Sequence, residues 1–127
     1  MKVEPGAADL LAIARETILR ELAPALPESQ RYAALMAANA LAIATRDLAA
    51  PADGAEELAR VAALLPGKEA PQSLLEGNAR LAARIRAGAF DEGPARERLL
   101  AHLDATVRAR LAVSNPRALA RDERTSP

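Results

Sequence analysis

The segment AALMAANALAIATRDL, residues 33–48, constrains the fold more than any other part of the sequence. It overlaps the longest stretch without a charged side chain, residues 32–45, and it is rich in alanine. Alanine is the best helix former and is depleted in strands, so the segment predicts a helix. The uncharged stretch is shorter than the roughly 20 apolar residues of a membrane-spanning helix, so we expect a buried helix and no membrane partner.

The composition of the whole chain agrees with this prediction. Hydrophobic residues make up 50% of the 127 residues but aromatic residues only 2%, and 33 residues are alanine. Small apolar side chains of this kind suit closely approaching helices. The chain has no cysteine, which excludes disulfides and thiolate zinc sites. Its first ten residues lack the pattern of a signal peptide, so we expect a cytoplasmic protein.

Proline and glycine divide the sequence into five predicted helices, at about residues 7–22, 28–49, 53–65, 71–87 and 94–113. Asp53 and Glu56 form a capping-box pattern at the start of the third helix. Gly88 stands just past the end of the fourth helix, where glycine is favoured. After Asn115, the segment PRALARDE predicts a short sixth turn before a polar end.

The connections between these helices are short, and short connections imply antiparallel neighbours. We therefore predict an all-α fold, a small up-and-down helical bundle of five main helices with a short sixth at the C-terminus. Residues 1–115 are predicted to form a single helical-bundle domain, because a chain of this length fits one core. Residues 116–127 are predicted to form a short helical turn and a polar tail.

Three polar residues fall within the predicted core: Asn39, Arg46 and Asn78. Asn39 and Arg46 lie on the apolar stripe of the second helix, which consists of Tyr32, Leu35, Met36 and Ile43. Asn78 lies on the stripe of the fourth helix, which consists of Leu74, Leu81 and Ile85. A buried amide without a partner costs about 1–3 kcal/mol, so each should be hydrogen-bonded. Three interpretations stay open: these residues fix the register of the helices, they line a polar pocket in the core of the bundle, or one of them is simply exposed.

The 17 basic and 17 acidic side chains are unevenly distributed. Residues 1–76 carry 7 basic and 11 acidic side chains, whereas residues 77–117 carry 8 basic and 4 acidic ones. One interpretation is that the two halves pack together and that charged residues at their edges form ion pairs. Each exposed pair would contribute less than about 1 kcal/mol. The other is a basic surface that holds a phosphate or the carboxylates of a partner. Its candidate residues are Arg80, Arg84, Arg108 and Arg110.

The sequence contains no recognisable catalytic constellation. The apolar stripe of the fifth helix consists of Leu100, Leu103, Val107 and Leu111. His102, the single histidine, lies opposite this stripe and is predicted to be solvated. Asp104 is two residues away on the same helix and does not face it, so the pair predicts no metal site. No nucleophile motif or phosphate-binding glycine loop occurs. We expect no catalytic residue, no metal and no cofactor, and the zero net charge and scarce aromatics argue against nucleic acid.

Three long segments resemble a bacterial family of small all-helical proteins of unknown function. They are LLAIARETILRELAPALPESQRYAALMAANALAIATRDL, LLEGNARLAARIRAGAF and LLAHLDATVRARLAVSNPRAL. The most telling parts are AANALAIA around Asn39, RIRAG ending at Gly88, and LAVSNPR. Members of this family are typically encoded beside acyl-CoA dehydrogenases and aminoglycoside-phosphotransferase-like kinases. The resemblance therefore implies association with other proteins and no defined reaction.

These observations predict an accessory or interaction protein that is not itself an enzyme. It would be a homo-oligomer or a partner of the neighbouring enzymes, because alanine-rich helices cover a core poorly and leave apolar surface exposed. The alternative is a small-ligand binder for an acyl or phosphate-bearing molecule. Its binding residues would be Asn39, Asn78 and the arginines of the fourth helix.

Overall fold

A computed structural model describes residues 3–50 and 54–125. The α-helices are α1 (Ala7–Thr17), α2 (Glu28–Ala49), α3 (Ala55–Leu64), α4 (Leu74–Arg86), α5 (Gly93–Ser114) and α6 (Pro116–Thr125). No strand occurs in these described ranges, which confirms the all-α class. The sixth helix is longer than the turn predicted for it. The up-and-down order of the helices stays a prediction.

The chain divides into two compact units. Unit 1 comprises Met1–Pro51 and Ala112–Pro127, and unit 2 comprises Ala52–Leu111. The chain thus leaves unit 1 after α2 and returns to it within the last turn of α5. Compact units of this kind occur within one domain as well as in separate ones, so a single domain over residues 1–115 stays a prediction.

The first helix continues past α1 without a break. A π-helical turn (Ile18–Leu22) and a 3-10 turn (Ala23–Ala25) follow it, and the chain becomes extended at Leu26. The change to the 3-10 turn comes directly after Leu22, the predicted end of the first helix, and Pro24 lies at the start of that turn, where its missing N–H is not needed. Arg31 of α2 secures the corner, since its guanidinium donates to the carbonyl oxygens of Ala23 and Leu26, each at 3.3 Å.

In unit 1, α1 packs against α2, and the buried residue of α2 is Ala38, on its alanine side. Ala38 is the most buried residue of α2, with 1% of its surface exposed. The residues at helical spacing around it are half-buried, namely Ala34, Leu41 and Thr45. Small side chains let two helices approach closely, which explains why this side of α2 faces α1.

The large side chains of α2 consequently face away from α1, and the prediction that they form the core is wrong. Tyr32 is 70% exposed, and Leu35 and Met36 are 42% and 46% exposed. Only Ile43, farther along the same stripe, is half-buried. A helix that is apolar on two sides buries one of them, and α2 buries the side with the smaller residues.

The core of unit 2 consists of four buried side chains, Val61, Leu81, Phe90 and Leu99. Ser73 caps α4, since its Oγ accepts a hydrogen bond from the Glu76 N–H at 3.1 Å. Gly88 ends the helix with a φ of 87°, as its position in the sequence predicted. The turn that follows carries Phe90 into the core. Asp53, predicted to cap α3, lies outside the described residues.

Gly77 lets α4 approach α3 closely. It is buried, and a Cβ atom at this position would lie 2.9 Å from Cγ1 of Val61 and 3.3 Å from Pro71. Val61 is fully buried, and β-branched side chains have little rotamer freedom. The Val61 side chain therefore has little room to move away from a new methyl group at position 77.

We predict that Gly77→Ala lowers the free energy of unfolding by about 1 kcal/mol. Alanine gains up to about 1 kcal/mol in helix propensity, but an extra methyl group in a packed contact costs about 1–3 kcal/mol. Chemical denaturation of both proteins measures the difference.

A Val61→Ala background supplies the control for this prediction, because it removes the Cγ1 atom that the new methyl group meets. In that background Gly77→Ala should leave the stability unchanged or raise it. An equal loss in both backgrounds would show that the close contact is not the cause.

Candidate functional site

The candidate site is a polar cleft in unit 1 with a volume of about 410 Å³. We call it the arginine cleft. Its walls come from α1, from α2 and from the junction between α5 and α6. The polar residues that line it are Arg15, Asn39, Arg46, Ser114, Asn115 and Arg117. Its size lies within the range of small-molecule sites.

Arg46 connects the two distant parts of the sequence that form the arginine cleft. Its Nε donates a hydrogen bond to the carbonyl oxygen of Val113 at 2.6 Å. This bond joins α2 to the last turn of α5 and satisfies a carbonyl that has no partner within the helix. The side chain is half-buried, which agrees with the burial predicted for it. A guanidinium has five N–H donors, and this bond uses one of them.

Asn39 lies on the wall of the arginine cleft and not in a core. It is exposed, so the prediction that it is buried is wrong. The physical reason is the orientation of α2, because the alanine side packs against α1 and turns the stripe that contains Asn39 outward. It lies beside Arg46 in one cleft, whereas the polar pocket proposed from the sequence was placed in the core of the bundle.

Asn78 is also exposed, and its predicted burial is wrong as well. On α4 the buried residues are Gly77 and Leu81, since Gly77 faces Val61 across the close contact with α3. This orientation leaves Asn78 at the edge of the buried face. It belongs to unit 2 and does not line the arginine cleft.

The arginine cleft is strongly basic. Three of its lining residues are arginines, and no carboxylate lines it among the residues that the structure describes. Glu16, the acidic residue next to Arg15 in sequence, pairs with Arg20 at 3.1 Å. The guanidinium groups of the cleft are therefore not neutralised by its own walls.

A second cleft adjoins the arginine cleft and shares Arg15, Ala42 and Arg46 with it. Its volume is about 640 Å³. The side chains that it does not share are Ala12, Glu16, Leu19, Arg20 and Thr45. We call it the side cleft. Its lining combines apolar and hydroxyl groups with the Glu16–Arg20 ion pair and the two shared arginines.

Sequence reasoning missed four polar residues as candidates for this site, namely Arg15, Ser114, Asn115 and Arg117. The structure brings the AANALAIA segment, through Asn39 and Ala42, together with the SNPR residues of LAVSNPR. Both segments were singled out as the most telling parts of the resemblance. The resemblance marked both segments, but nothing in the sequence indicated that they meet in the folded chain.

The four arginines of α4 and α5 each have a neighbour of their own within unit 2. Arg80 donates to the carbonyl oxygen of Glu69 at 3.1 Å, and Arg108 pairs with Asp104 at 2.9 Å. A common anion surface on these residues stays a prediction.

The other two arginines of this group contact an aromatic ring and a carboxylate. The guanidinium carbon of Arg84 lies 6.0 Å from the centre of the Phe90 ring, and Arg110 lies 3.5 Å from Glu57. The second contact joins the acidic and the basic half of the sequence.

Comparison with known proteins gives the family but no activity. A family model described as a domain of unknown function, DUF6285, matches residues 24–118. The chain belongs to the DUF6285 family. The matched residues include every lining residue of the arginine cleft except Arg15. No curated protein and no solved structure matches this DUF6285 chain.

The described ranges of this DUF6285 protein contain neither a membrane-spanning helix nor a cluster of metal-binding side chains. None of its helices there is both long and apolar enough to cross a lipid bilayer. Within the same ranges, no three histidine or acidic side chains come together as a metal site would require.

His102 of the DUF6285 domain is buried in unit 2, so the prediction that it is solvated is wrong. The buried face of α5 contains Leu99 and His102, whereas Leu100, Leu103 and Val107 are exposed. The Nδ1 atom of His102 is buried without a hydrogen-bond partner. Burial lowers the pKa of His102 below its usual value, and the charge of Arg60 lowers it further, whereas Glu57 acts in the opposite direction.

We predict that unit 2 loses stability as the pH falls below about 6.5, the ordinary pKa of histidine. Because the pKa is lower in the folded state, the unfolded chain binds the proton first, and the free energy of unfolding decreases with falling pH. Above that pH the neutral His102 makes its full contribution to the free energy of unfolding. Thermal or urea unfolding between pH 8 and pH 5.5 measures the slope.

His102→Leu is the matched control, since the chain contains no other histidine. The variant should show little change in stability over the same pH range. A wild-type chain that is equally stable at both ends of the range would contradict this account of His102.

Proposed function

We propose that this protein is a non-catalytic accessory protein that self-associates through the exposed apolar stripe of α2. The observation that carries the proposal is the exposure of three large side chains at helical spacing, Tyr32, Leu35 and Met36. We call these three residues the α2 stripe. Contiguous apolar surface of this kind marks interaction sites in soluble proteins.

The exposure of the α2 stripe supports burial against another chain. Tyr32 is 70% exposed, and Leu35 and Met36 are 42% and 46% exposed. Removing such apolar surface from water is favourable by roughly 25 cal/mol per Å². A second copy that covers the stripe would gain this free energy.

The charges support a second copy as the partner. Unit 1 contains eight basic and eight acidic residues, so its net charge is zero. Two copies of a neutral unit do not repel each other, whereas a strongly charged surface would favour a partner of opposite sign. In a two-fold dimer the α2 stripe of one copy would pack against the same stripe of the other.

The resemblance implies a second class of partner, the acyl-CoA dehydrogenases and kinase-like enzymes that are typically encoded beside members of the family. An exposed apolar stripe suits an enzyme partner as well as a second copy. The neutral charge of unit 1 favours the second copy, so self-association is the form of accessory role that we propose.

We expect light scattering coupled to size exclusion to report a dimer or higher oligomer at micromolar concentration. Met36→Glu should shift the protein to the monomer, because it would bury an unpaired carboxylate in the interface. That burial costs about 3 kcal/mol or more, which is over a hundredfold in the dissociation constant. Met36 is half exposed in the single chain, so the variant should keep its helical circular dichroism.

Gln30→Glu is the matched control. Gln30 is exposed and lies about 160° around α2 from Tyr32, and the substitution adds the same single charge. It should leave the oligomeric state unchanged. A wild-type protein that is monomeric at every concentration would overturn the proposal, and so would an oligomer that Met36→Glu leaves intact.

A further inference from the structure

Three arginines from three separate helices line the arginine cleft. Arg15 comes from α1, Arg46 from α2 and Arg117 from the first turn of α6. Like charges that share a concave surface create a strong positive potential, which attracts anions. Neither Arg15 nor Arg117 forms an ion pair with any described residue, and the bond made by Arg46 goes to a neutral carbonyl.

We propose that the arginine cleft binds the phosphate group of a small molecule. A carboxylate is planar, and a single guanidinium fork already satisfies its two oxygens. A phosphate presents its oxygens in several directions and carries more charge, so it can accept from guanidinium groups that approach from different sides. Arginines on three different helices fit the geometry of a phosphate.

The neutral polar residues of the arginine cleft add hydrogen-bond donors that suit the oxygens of a phosphate. Asn39 and Asn115 each carry an amide NH₂ group, which donates to anionic oxygens. This role accounts for an amide in the middle of the uncharged stretch of α2. Asn39 is an exposed residue on a cleft wall, where a polar side chain costs little without a ligand.

The side cleft indicates that the ligand is larger than a free phosphate ion. It borders the same Arg15 and Arg46 and offers a volume of about 640 Å³ beside the charged groups. Ala12, Leu19 and Thr45 provide a surface for the uncharged part of a molecule, and Glu16 and Arg20, which pair with each other, complete the lining. The ligand class is therefore a phosphate carried on a small organic body.

Isothermal titration with inorganic pyrophosphate tests the charge recognition directly. We expect saturable binding at one site per chain with a dissociation constant below about 1 mM at low salt. Added potassium chloride should weaken the binding, because mobile ions screen the arginines. Acetate at the same ionic strength should give no saturable heat, since it offers a single carboxylate.

Substitution of the arginines identifies the site. Arg15→Gln, Arg46→Gln and Arg117→Gln should each weaken pyrophosphate binding about tenfold or more, because each removes charge-assisted hydrogen bonds. Arg124→Gln is the matched control, since Arg124 lies on α6 like Arg117 but does not line the cleft. It should change the dissociation constant by less than about twofold, as a screened exposed charge would.

Arg46→Gln also removes the hydrogen bond to Val113 and could unfold part of unit 1, so circular dichroism accompanies each titration. Arg117 is exposed, and its variant keeps the test decisive if Arg46→Gln does not fold. Absence of saturable pyrophosphate binding would overturn the proposal. So would equal binding of acetate, or an equal loss in Arg117→Gln and Arg124→Gln.

This inference is independent of self-association. Met36→Glu should still bind pyrophosphate, because the α2 stripe does not line the arginine cleft. Conversely, Arg117→Gln should keep the oligomeric state of the parent. The two proposals can therefore fail separately.

Discussion

The contact between α1 and the alanine side of α2 determines the arrangement of unit 1. Ala38 is almost completely buried there, and no large side chain of α2 shares that depth. Because the small residues occupy the contact, the larger ones on the other side of α2 face outward. The exposed stripe, the position of Asn39 and the wall of the arginine cleft all follow from this orientation.

The outward face of α2 changes character along its length. Its N-terminal half carries the large apolar residues Tyr32, Leu35 and Met36, and its C-terminal half carries Asn39 and Arg46. The apolar half suits contact with another chain, because burial of apolar surface is favourable. The polar half meets the α5–α6 junction and forms a basic cleft. The same helix face thus supports a proposed interface and a proposed ligand site that do not share residues.

Local signals were sufficient to predict the helices from the sequence. Proline, glycine and capping residues act within a few positions, and the bounds predicted for the second helix agree with α2, Glu28–Ala49. The buried side of each helix could not be predicted in the same way. The wheel of α2 has two apolar sides, both of which predict contact with other helices, and the wheel of α5 predicts that the stripe of Leu100, Leu103, Val107 and Leu111 packs. The structure buries Ala38 and His102 instead.

The arginine cleft was beyond sequence reasoning for a different reason. Arg46 and Val113 are 67 positions apart, and their hydrogen bond forms only after α2 and the end of α5 come together in unit 1. The sequence indicated that Asn39 and Arg46 were unusual polar positions. It carried no signal that Arg15 and Arg117 join them.

The most direct test of this account is the solvent access of Tyr32, measured by acrylamide quenching of its fluorescence over a range of protein concentrations. Tyr32 is the single tyrosine and the chain has no tryptophan, so the emission reports on the α2 stripe alone. We expect strong quenching in dilute solution, where the chain is a monomer, and weak quenching when copies associate. Tyr32 that is protected even in the monomer would contradict the account, because the large side of α2 would then be buried within its own chain.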